Sequence, residues 1–139
     1  RDGEQPGRFS VKRAVEIFEK LAPILARIHS AGWVWRDCKP SHIFMHGGTM
    51  RLLDFEGACR LGDTRALPWS SPNYVPPGWE RRSRRPGGTR EDDYALGVIT
   101  FQFGTGEFPP FDHGRRQRIY QRTGFPDSLQ EQIETLLRL

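Results

Sequence analysis

The sequence predicts a mostly helical α+β fold with a small β-hairpin, and three patterns in its 139 residues support this. Apolar residues recur at helical spacing between Val11 and Ile28. The pair Gly47-Gly48 separates two short β-prone segments, as in a tight hairpin. The segment DDYALGVITFQF (92–103) is apolar on nearly every side, which predicts a buried helix. The length suits one compact domain.

Composition and charge exclude several classes of protein. Hydrophobic residues make up 36% of the chain and charged residues 27%, which is typical of a globular protein. No apolar run approaches the roughly 18 residues of a membrane span. Five arginines fall within 81–90, followed by acids, and we interpret this run as a solvated loop rather than a nucleic-acid-binding surface. Cys38 and Cys59 are too few for a disulfide scaffold and indicate reduced thiols in a cytoplasmic protein.

The first helix begins after Ser10, a good N-cap residue. We expect Gly32 to end it, because glycine adopts the left-handed conformation that follows many helices. Pro23 lies inside the helix and should kink or locally break it. Residues 1–9 are polar and rich in Gly and Pro, so they are expected to form a loop or a frayed start.

The hairpin strands are predicted at 43–45 and 50–53. Residues 60–90 contain five prolines and four glycines, a density that excludes regular elements and indicates a long functional loop. After the buried helix at 92–103, a short helix is predicted near 113–122. The last helix should open at Ser128 with a capping box to Glu131.

Two acidic residues occur in contexts that suit phosphoryl transfer. They belong to the stretches WRDCKPSH (35–42) and DFEG (54–57). This chemistry needs an acid to orient or deprotonate a hydroxyl, and oxygen ligands for the metal that bridges the phosphates. Asp37 fits the first role and Asp54, at the exit of a strand, fits the second. Lys39 could neutralise charge on the transferred group.

These stretches resemble motifs of the C-terminal lobe of eukaryotic-type Ser/Thr protein kinases. WRDCKPSH is similar to the catalytic loop H-R-D-x-x-x-x-N, and its Lys-Pro pair is typical of Ser/Thr kinases; DFE is similar to D-F-G. Three further motifs follow in the family's order: YVPP (74–77) near A-P-E, DDYALGV (92–98) and TGEFPPF (105–111). The resemblance covers residues from about 10 to 139.

A narrower resemblance concerns the kinase-like domains of class III and IV lanthionine synthetases. Three features are similar to those domains: the high arginine content of the chain, the segment DFEGA (54–58) and the segment YVPP (74–77). This resemblance implies phosphorylation of Ser or Thr in a precursor peptide, followed by elimination in a separate lyase domain.

The kinase resemblance implies ATP-dependent phosphoryl transfer to a Ser or Thr hydroxyl of a protein or peptide, with ATP and Mg²⁺ as cofactors. Asp37 and Lys39 would be catalytic. Lys39 and Asp54 would bind ATP and its metal, and Asp54 and His42 occupy the metal-binding positions.

The resemblance also implies two supporting roles. Arg36 would pair with a phosphate on the activation segment, whose hydroxyls include Thr64, Ser70 and Ser71. Asp92 would accept hydrogen bonds from the backbone of the catalytic loop and brace it, and it could at the same time cap its own helix.

Several residues depart from the family pattern. Trp35 replaces the catalytic-loop His and is expected to pack in its place. His42 replaces an Asn ligand of Mg²⁺, which leaves three options open: a tolerated non-ligand, weakened catalysis or a shift toward Mn²⁺. Glu56 is either a further metal ligand or an exposed loop acid. Gly78 stands where the family has the glutamate of A-P-E, and Glu80, two residues later, could take the place of that glutamate.

The Gly-rich loop and strand lysine of the family have no counterpart in the sequence. We therefore expect an N-terminal lobe to precede residue 1 and a further helix to follow, and we expect the 139 residues alone to be inactive and poorly soluble. Two alternatives remain: a pseudokinase-like ATP-binding or regulatory module, and a small-molecule phosphotransferase. The Lys39-Pro40 pair argues against the latter.

Overall fold

The computed structural model describes residues 9–78 and 88–138. Within these ranges the chain forms four α-helices, one short 3₁₀ helix and two small antiparallel sheets, as the sequence predicts for a mostly helical α+β protein. In chain order the elements are α1 (Val11–Ser30), β1 (Trp33–Val34), the 3₁₀ helix (Pro40–His42), β2 (Ile43–His46), β3 (Thr49–Leu52), β4 (Cys59–Arg60), α2 (Arg90–Thr105), α3 (His113–Thr123) and α4 (Asp127–Leu137).

Helix α1 begins as predicted, with the Ser10 hydroxyl accepting a hydrogen bond from the backbone N–H of Arg13 at 3.1 Å. Pro23 was predicted to kink or locally break the helix, and the break is wrong, because α1 is continuous over 20 residues. Pro23 lies on the exposed side, where the unbonded carbonyl one turn earlier can reach water. The buried Leu21 and Leu25 hold the helix against the core on both sides of the proline.

The predicted hairpin is confirmed. Strands β2 and β3 pair in register, with Ile43 opposite Leu52 and His46 opposite Thr49. Gly47 and Gly48 have φ angles of 58° and 81°, and glycine adopts such angles without strain.

A second sheet was not predicted. Strands β1 and β4 pair over two residues each, Trp33 with Arg60 and Val34 with Cys59. Strands of two residues carry too little alternation to be recognised in a sequence. The pairing matters because it fixes the start of the segment 35–42 next to the segment that follows residue 54.

Residues 61–78 contain no helix or strand, as the density of prolines and glycines predicts. The end of this long loop lies outside the described residues, and so do most of its arginines (Arg81, Arg82, Arg84 and Arg85) and Glu80. Gly78, the last described residue before the gap, has a φ of 81°.

Helix α2 forms the centre of the core, packed between α1 and α4. It begins two residues earlier than predicted, and 11 of its 16 residues are buried. Gly104 allows close packing at its end, because a Cβ there would lie 2.2 Å from Cζ of Phe125. At the same end of α2, the carbonyl of Phe103 accepts a hydrogen bond from the N–H of Ser10 at 2.8 Å.

The predicted capping box of α4 is wrong. The helix begins at Asp127 with Pro126 at the N-cap, and no side chain caps it. Because Ser128 is the second residue of the helix and not its N-cap, its hydroxyl does not occupy the position from which an N-cap side chain accepts the N–H three residues later. The helix is instead fixed by Glu134, which accepts hydrogen bonds from α3: two from Arg116 at 2.7 and 2.8 Å, one from Tyr120 at 2.6 Å and one from His113 at 3.0 Å.

Both cysteines are free and buried. Burial raises the pKa of the Cys38 thiol well above its usual value, and the carboxylates of Asp92 and Asp37 raise this pKa further. The thiol is therefore protonated at neutral pH and unreactive. Among the described residues, no helix combines the length and the apolar character that crossing a membrane requires.

Candidate catalytic site

The loop that follows β1 is held by a buried carboxylate on α2. Asp92 is fully buried, and its two oxygens accept hydrogen bonds from the backbone N–H groups of Trp35 and Arg36, both at 2.9 Å. Nε2 of His29, near the end of α1, donates to the same carboxylate at 2.8 Å. Arg36 has a φ of 68°, a strained angle for this residue, which these bonds help to maintain. Two helices thus fix the loop that carries Asp37.

Asp37 lies at the bottom of the site with 7% of its surface exposed. The hydroxyl of Ser71 donates a short hydrogen bond of 2.6 Å to its Oδ1. The ammonium group of Lys39 lies 3.9 Å from the same oxygen. The carboxylate therefore already accepts a hydrogen bond from one hydroxyl and has a cation beside it.

His42 connects Asp37 with Asp54. It lies in the 3₁₀ helix, where Nδ1 donates to the backbone carbonyl of Asp37 at 2.9 Å and Nε2 lies 3.4 Å from Oδ2 of Asp54. One potential ligand atom from each of these three residues falls within 4.8 Å of the others. The structure thus brings together Asp37, His42 and Asp54, three of the residues singled out in the sequence.

This cluster fits a divalent cation only in part. The carboxylates of Asp37 and Asp54 are the hard oxygen ligands that Mg²⁺ prefers, whereas the imidazole of His42 suits transition metals better. Glu56, the other acid considered as a ligand, is exposed and does not belong to the cluster formed by the described residues.

Trp35 links the loop that carries Asp37 to the segment that carries Asp54. Its side chain is fully buried, as expected, and its indole N–H donates to the backbone carbonyl of Asp54 at 3.0 Å. Its ring stacks on Phe55 with 5.3 Å between centroids. Asp54 has a φ of 65°, so the carboxylate is presented from a strained backbone that Trp35 supports.

Arg36 binds backbone rather than another side chain. Its Nε donates to the carbonyl of Gly57 at 2.6 Å, and its Nη1 donates to the carbonyl of Leu67 at 2.9 Å. These bonds join the loop that carries Asp37 to two points of the loop that begins after Asp54.

Gly57 is buried under the indole ring of Trp69. A Cβ at position 57 would lie 2.1 Å from Cδ1 of that ring, a distance at which the two cannot coexist. The glycine thus lets the later part of the loop fold back over the Asp54 segment.

Two contacts of the site were not predicted from the sequence. Ser71 was considered only as a hydroxyl of the activation segment, although it binds Asp37, and no local pattern indicates a contact across 34 positions. His29 lies near the end of the first helix, and no role was predicted for it from the sequence. A polar residue near a helix terminus gives no sign of a partner 63 positions away.

Comparison with known proteins gives consistent matches. Residues 3–135 match the family model described as "Protein kinase domain". The chain is 30% identical over 138 residues to the human cAMP-dependent protein kinase catalytic subunit PRKX. The aligned region covers 95% of this chain and 38% of that protein.

Two bacterial proteins are similar to the same degree. The serine/threonine-protein kinase PkaA of Streptomyces coelicolor is 32% identical over 137 residues, with 86% of this chain and 24% of that protein covered. The serine/threonine-protein kinase pkn2 of Myxococcus xanthus is 34% identical over 116 residues, with 75% and 14% covered. The chain thus spans well under half of the length of each of these relatives.

Proposed function

Because the chain belongs to the protein kinase domain family, we propose that residues 1–139 form the C-terminal lobe of a kinase that transfers the γ-phosphoryl group of ATP to a Ser or Thr hydroxyl of a protein or peptide. The observation that carries this proposal is the position of Asp37, which is buried beside Lys39 and joined through His42 to Asp54. The relatives named as Ser/Thr kinases support the choice of acceptor.

In this proposal Asp37 positions the acceptor hydroxyl. Its Oδ1 accepts the Ser71 hydroxyl at 2.6 Å, which leaves Oδ2 for a hydroxyl of the substrate. That oxygen orients the hydroxyl and accepts its proton as the bond to phosphorus forms. Lys39, 3.9 Å away, stabilises the negative charge on the transferred group.

Asp54 is the residue proposed to hold the metal of the nucleotide, with Asp37 nearby. Both are carboxylates, and Asp54 is the more exposed of the two, with 41% of its side chain accessible. A bound Mg²⁺ would neutralise charge on the phosphates of ATP. Because His42 is a poor ligand for Mg²⁺, activity with Mg²⁺ and with Mn²⁺ should be compared.

The direct test is phosphoryl transfer from radiolabelled ATP by the full-length protein. We expect Asp37→Asn to lower the rate by about 10²–10⁴-fold, the usual contribution of a positioned acid or base. Asp127→Asn, an exposed change at the start of α4, is the matched control and should leave the rate unchanged. Equal rates in the wild type and in Asp37→Asn would contradict the catalytic assignment.

One observation favours a second function, that of a pseudokinase-like ATP-binding or regulatory module. His42 occupies a metal-ligand position with an imidazole, which weakens the case for a Mg²⁺-dependent reaction. Under this alternative, ATP would raise the melting temperature of the wild type and of Asp37→Asn alike, and neither would transfer phosphate. The two free, buried thiols support a cytoplasmic location for either function.

A further inference from the structure

A cavity of about 420 Å³ lies between the start of α1, the 3₁₀ helix, the end of α2 and the loop that carries Ser71. Its walls include Phe9, Arg13, Pro40, Tyr74, Gln102 and Phe103. The cluster of Asp37, His42 and Asp54 does not line it. The cavity is therefore separate from the position assigned to the metal of the nucleotide.

The cavity lies within reach of a peptide whose hydroxyl is bound at Asp37. In the chain, Pro40 follows Asp37 by three residues. Tyr74 likewise follows Ser71, whose hydroxyl donates to Asp37, by three residues. Three residues span at most about 11 Å between Cα atoms. Because an extended peptide advances about 3.3 Å per residue, a side chain roughly three or four positions from the acceptor hydroxyl can enter the cavity.

Among the described residues that line this cavity, Arg13 is the only charged one. Its guanidinium carbon lies 5.8 Å from the centre of the Phe103 ring, a contact that helps to orient a cation. Its Nε also lies 3.7 Å from Oε1 of Glu16, which does not line the cavity. Solvent weakens this ion pair, because the two side chains are 41% and 49% exposed. The cavity therefore presents a positive charge to a side chain that enters it.

Gln102 adds a hydrogen-bond donor to the same cavity. Its Oε1 accepts the hydroxyl of Tyr74 at 3.0 Å, so its amide N–H groups remain to donate to a ligand. Phe9 and Phe103 supply aromatic surface, and Phe9 is exposed, so the cavity opens to solvent. Glutamate matches these features, because its methylene groups can contact the aromatic rings while a cation and an amide bind its carboxylate.

We propose that this cavity binds an acidic side chain of the acceptor peptide, and that Arg13 selects it. This inference deepens the proposed function and rests on it, because it names the class of peptide that the kinase would phosphorylate. Such a peptide carries glutamate or aspartate roughly three or four positions from the acceptor serine or threonine. Lysine or arginine at the same position is disfavoured, because two cations repel each other. Arg13 is thus a specificity-determining residue that takes no part in the transfer itself.

The test uses the full-length protein and an array of serine-containing peptides. One position at a time, on either side of the serine, is Glu, Gln or Lys, and the other positions hold a fixed mixture of residues. Binding of fluorescently labelled protein and transfer of radiolabelled phosphate are recorded separately on the same array. With the wild type, Glu should exceed Gln by roughly two- to fivefold at one position or at two adjacent positions, the usual effect of a partly exposed ion pair.

Arg13→Gln should remove this preference for Glu, and Arg13→Glu should replace it with a preference for Lys. Neither change removes the cap of α1, because Ser10 accepts its hydrogen bond from the backbone N–H of residue 13. Circular dichroism of each variant verifies folding. Lys12→Gln is the matched control, since it removes a cation from an exposed position of the same turn that does not line the cavity. It should keep the preference of the wild type.

Equal signals for Glu and Gln with the wild type, or a preference for Glu that persists in Arg13→Gln, would overturn the inference. A preference that Lys12→Gln also abolishes would overturn it too, because general charge rather than the cavity would then select the peptide. Transfer without selection of Glu rejects only this inference. Binding that selects Glu through Arg13 without any transfer rejects only the proposed function.

Discussion

Asp92 shows how one buried side chain can determine the shape of the loop that carries Asp37. A carboxylate without exposure to water is stable only if hydrogen bonds replace its hydration. Asp92 obtains three such bonds, from the backbone of Trp35 and Arg36 and from His29. The loop and the carboxylate therefore stabilise each other, and a side chain with a single accepting oxygen cannot replace all three contacts.

We expect Asp92→Asn to lower the free energy of unfolding by about 2–3 kcal/mol. The amide group of Asn turns an N–H toward donors of the loop and leaves a buried donor unsatisfied. The urea midpoint measures the effect. Asp93→Asn is the matched control and should cost less, because burial already raises the pKa of Asp93 and reduces the penalty of losing its charge. An equal loss in both variants would mean that the contacts with the loop contribute little.

At the scale of elements, the junction of α3 and α4 depends on Glu134. Burial alone would raise the pKa of this carboxyl, but hydrogen bonds from Arg116, Tyr120 and His113, with the charge of Arg116, lower it to about 2. Burial raises the pKa of Tyr120, and so do its hydrogen bond to Glu134 and the charge of that carboxylate, whereas Arg116 lowers this pKa. The helices are therefore joined by an ionised carboxylate, and loss of its charge would weaken the junction.

Stability should accordingly decrease as the pH falls through the range set by this carboxyl. Its pKa is about 2 in the folded protein and near 4.5 when unfolded, so its contribution is complete above pH 4.5 and is lost progressively toward pH 2. A shift of this size corresponds to at most ~3 kcal/mol, and solvent screening reduces the expected contribution to about 1–2 kcal/mol. Urea midpoints measured from pH 7 to pH 2 would show it.

Glu134→Gln should be less stable at pH 7 and should show a weaker dependence on pH between 4.5 and 2. Glu131→Gln, an exposed change on the same helix, should retain the dependence of the wild type. A steep acid transition that persists unchanged in Glu134→Gln would assign the effect to other carboxyl groups.

Elements with periodic patterns or defined turns could be predicted from the sequence, and contacts between them could not. The hairpin at Gly47-Gly48 and the row of apolar residues along α1 depend only on neighbouring residues in the chain, and both are present in the structure. Pro23 and Ser128 were misjudged because exposure and the point at which a helix begins depend on the tertiary structure. The positions of Asp37 and Asp54 in the chain suggested a common site, but the role of His42 in joining them depends on distances that only the folded chain defines.

For the whole molecule, the exposed apolar side chains around the hairpin predict self-association. Phe44 and Met45 are 55% and 38% exposed, and Leu53 and Phe55 on the following segment are exposed to a similar degree. If the chain is one lobe of a kinase, as proposed, these side chains would face the other lobe. Residues 1–139 expressed alone should therefore associate as concentration rises.

Sedimentation velocity at several concentrations measures this association. The double change Phe44→Ser and Met45→Ser should shift the distribution toward monomer, whereas Phe111→Ser should not, although Phe111 is more exposed and lies in the connection between α2 and α3. A monomeric wild-type chain with a sharp unfolding transition would contradict the prediction.

The contact between Gly57 and Trp69 has a consequence for the evolution of this protein. Because any Cβ at position 57 would occupy the space of the indole ring, the two positions cannot change independently. Homologues with a side chain at 57 should carry a smaller residue at 69, and those that keep the tryptophan should keep the glycine. The pair is thus expected to appear as a covarying couple that links the segment after Asp54 to the loop folded over it.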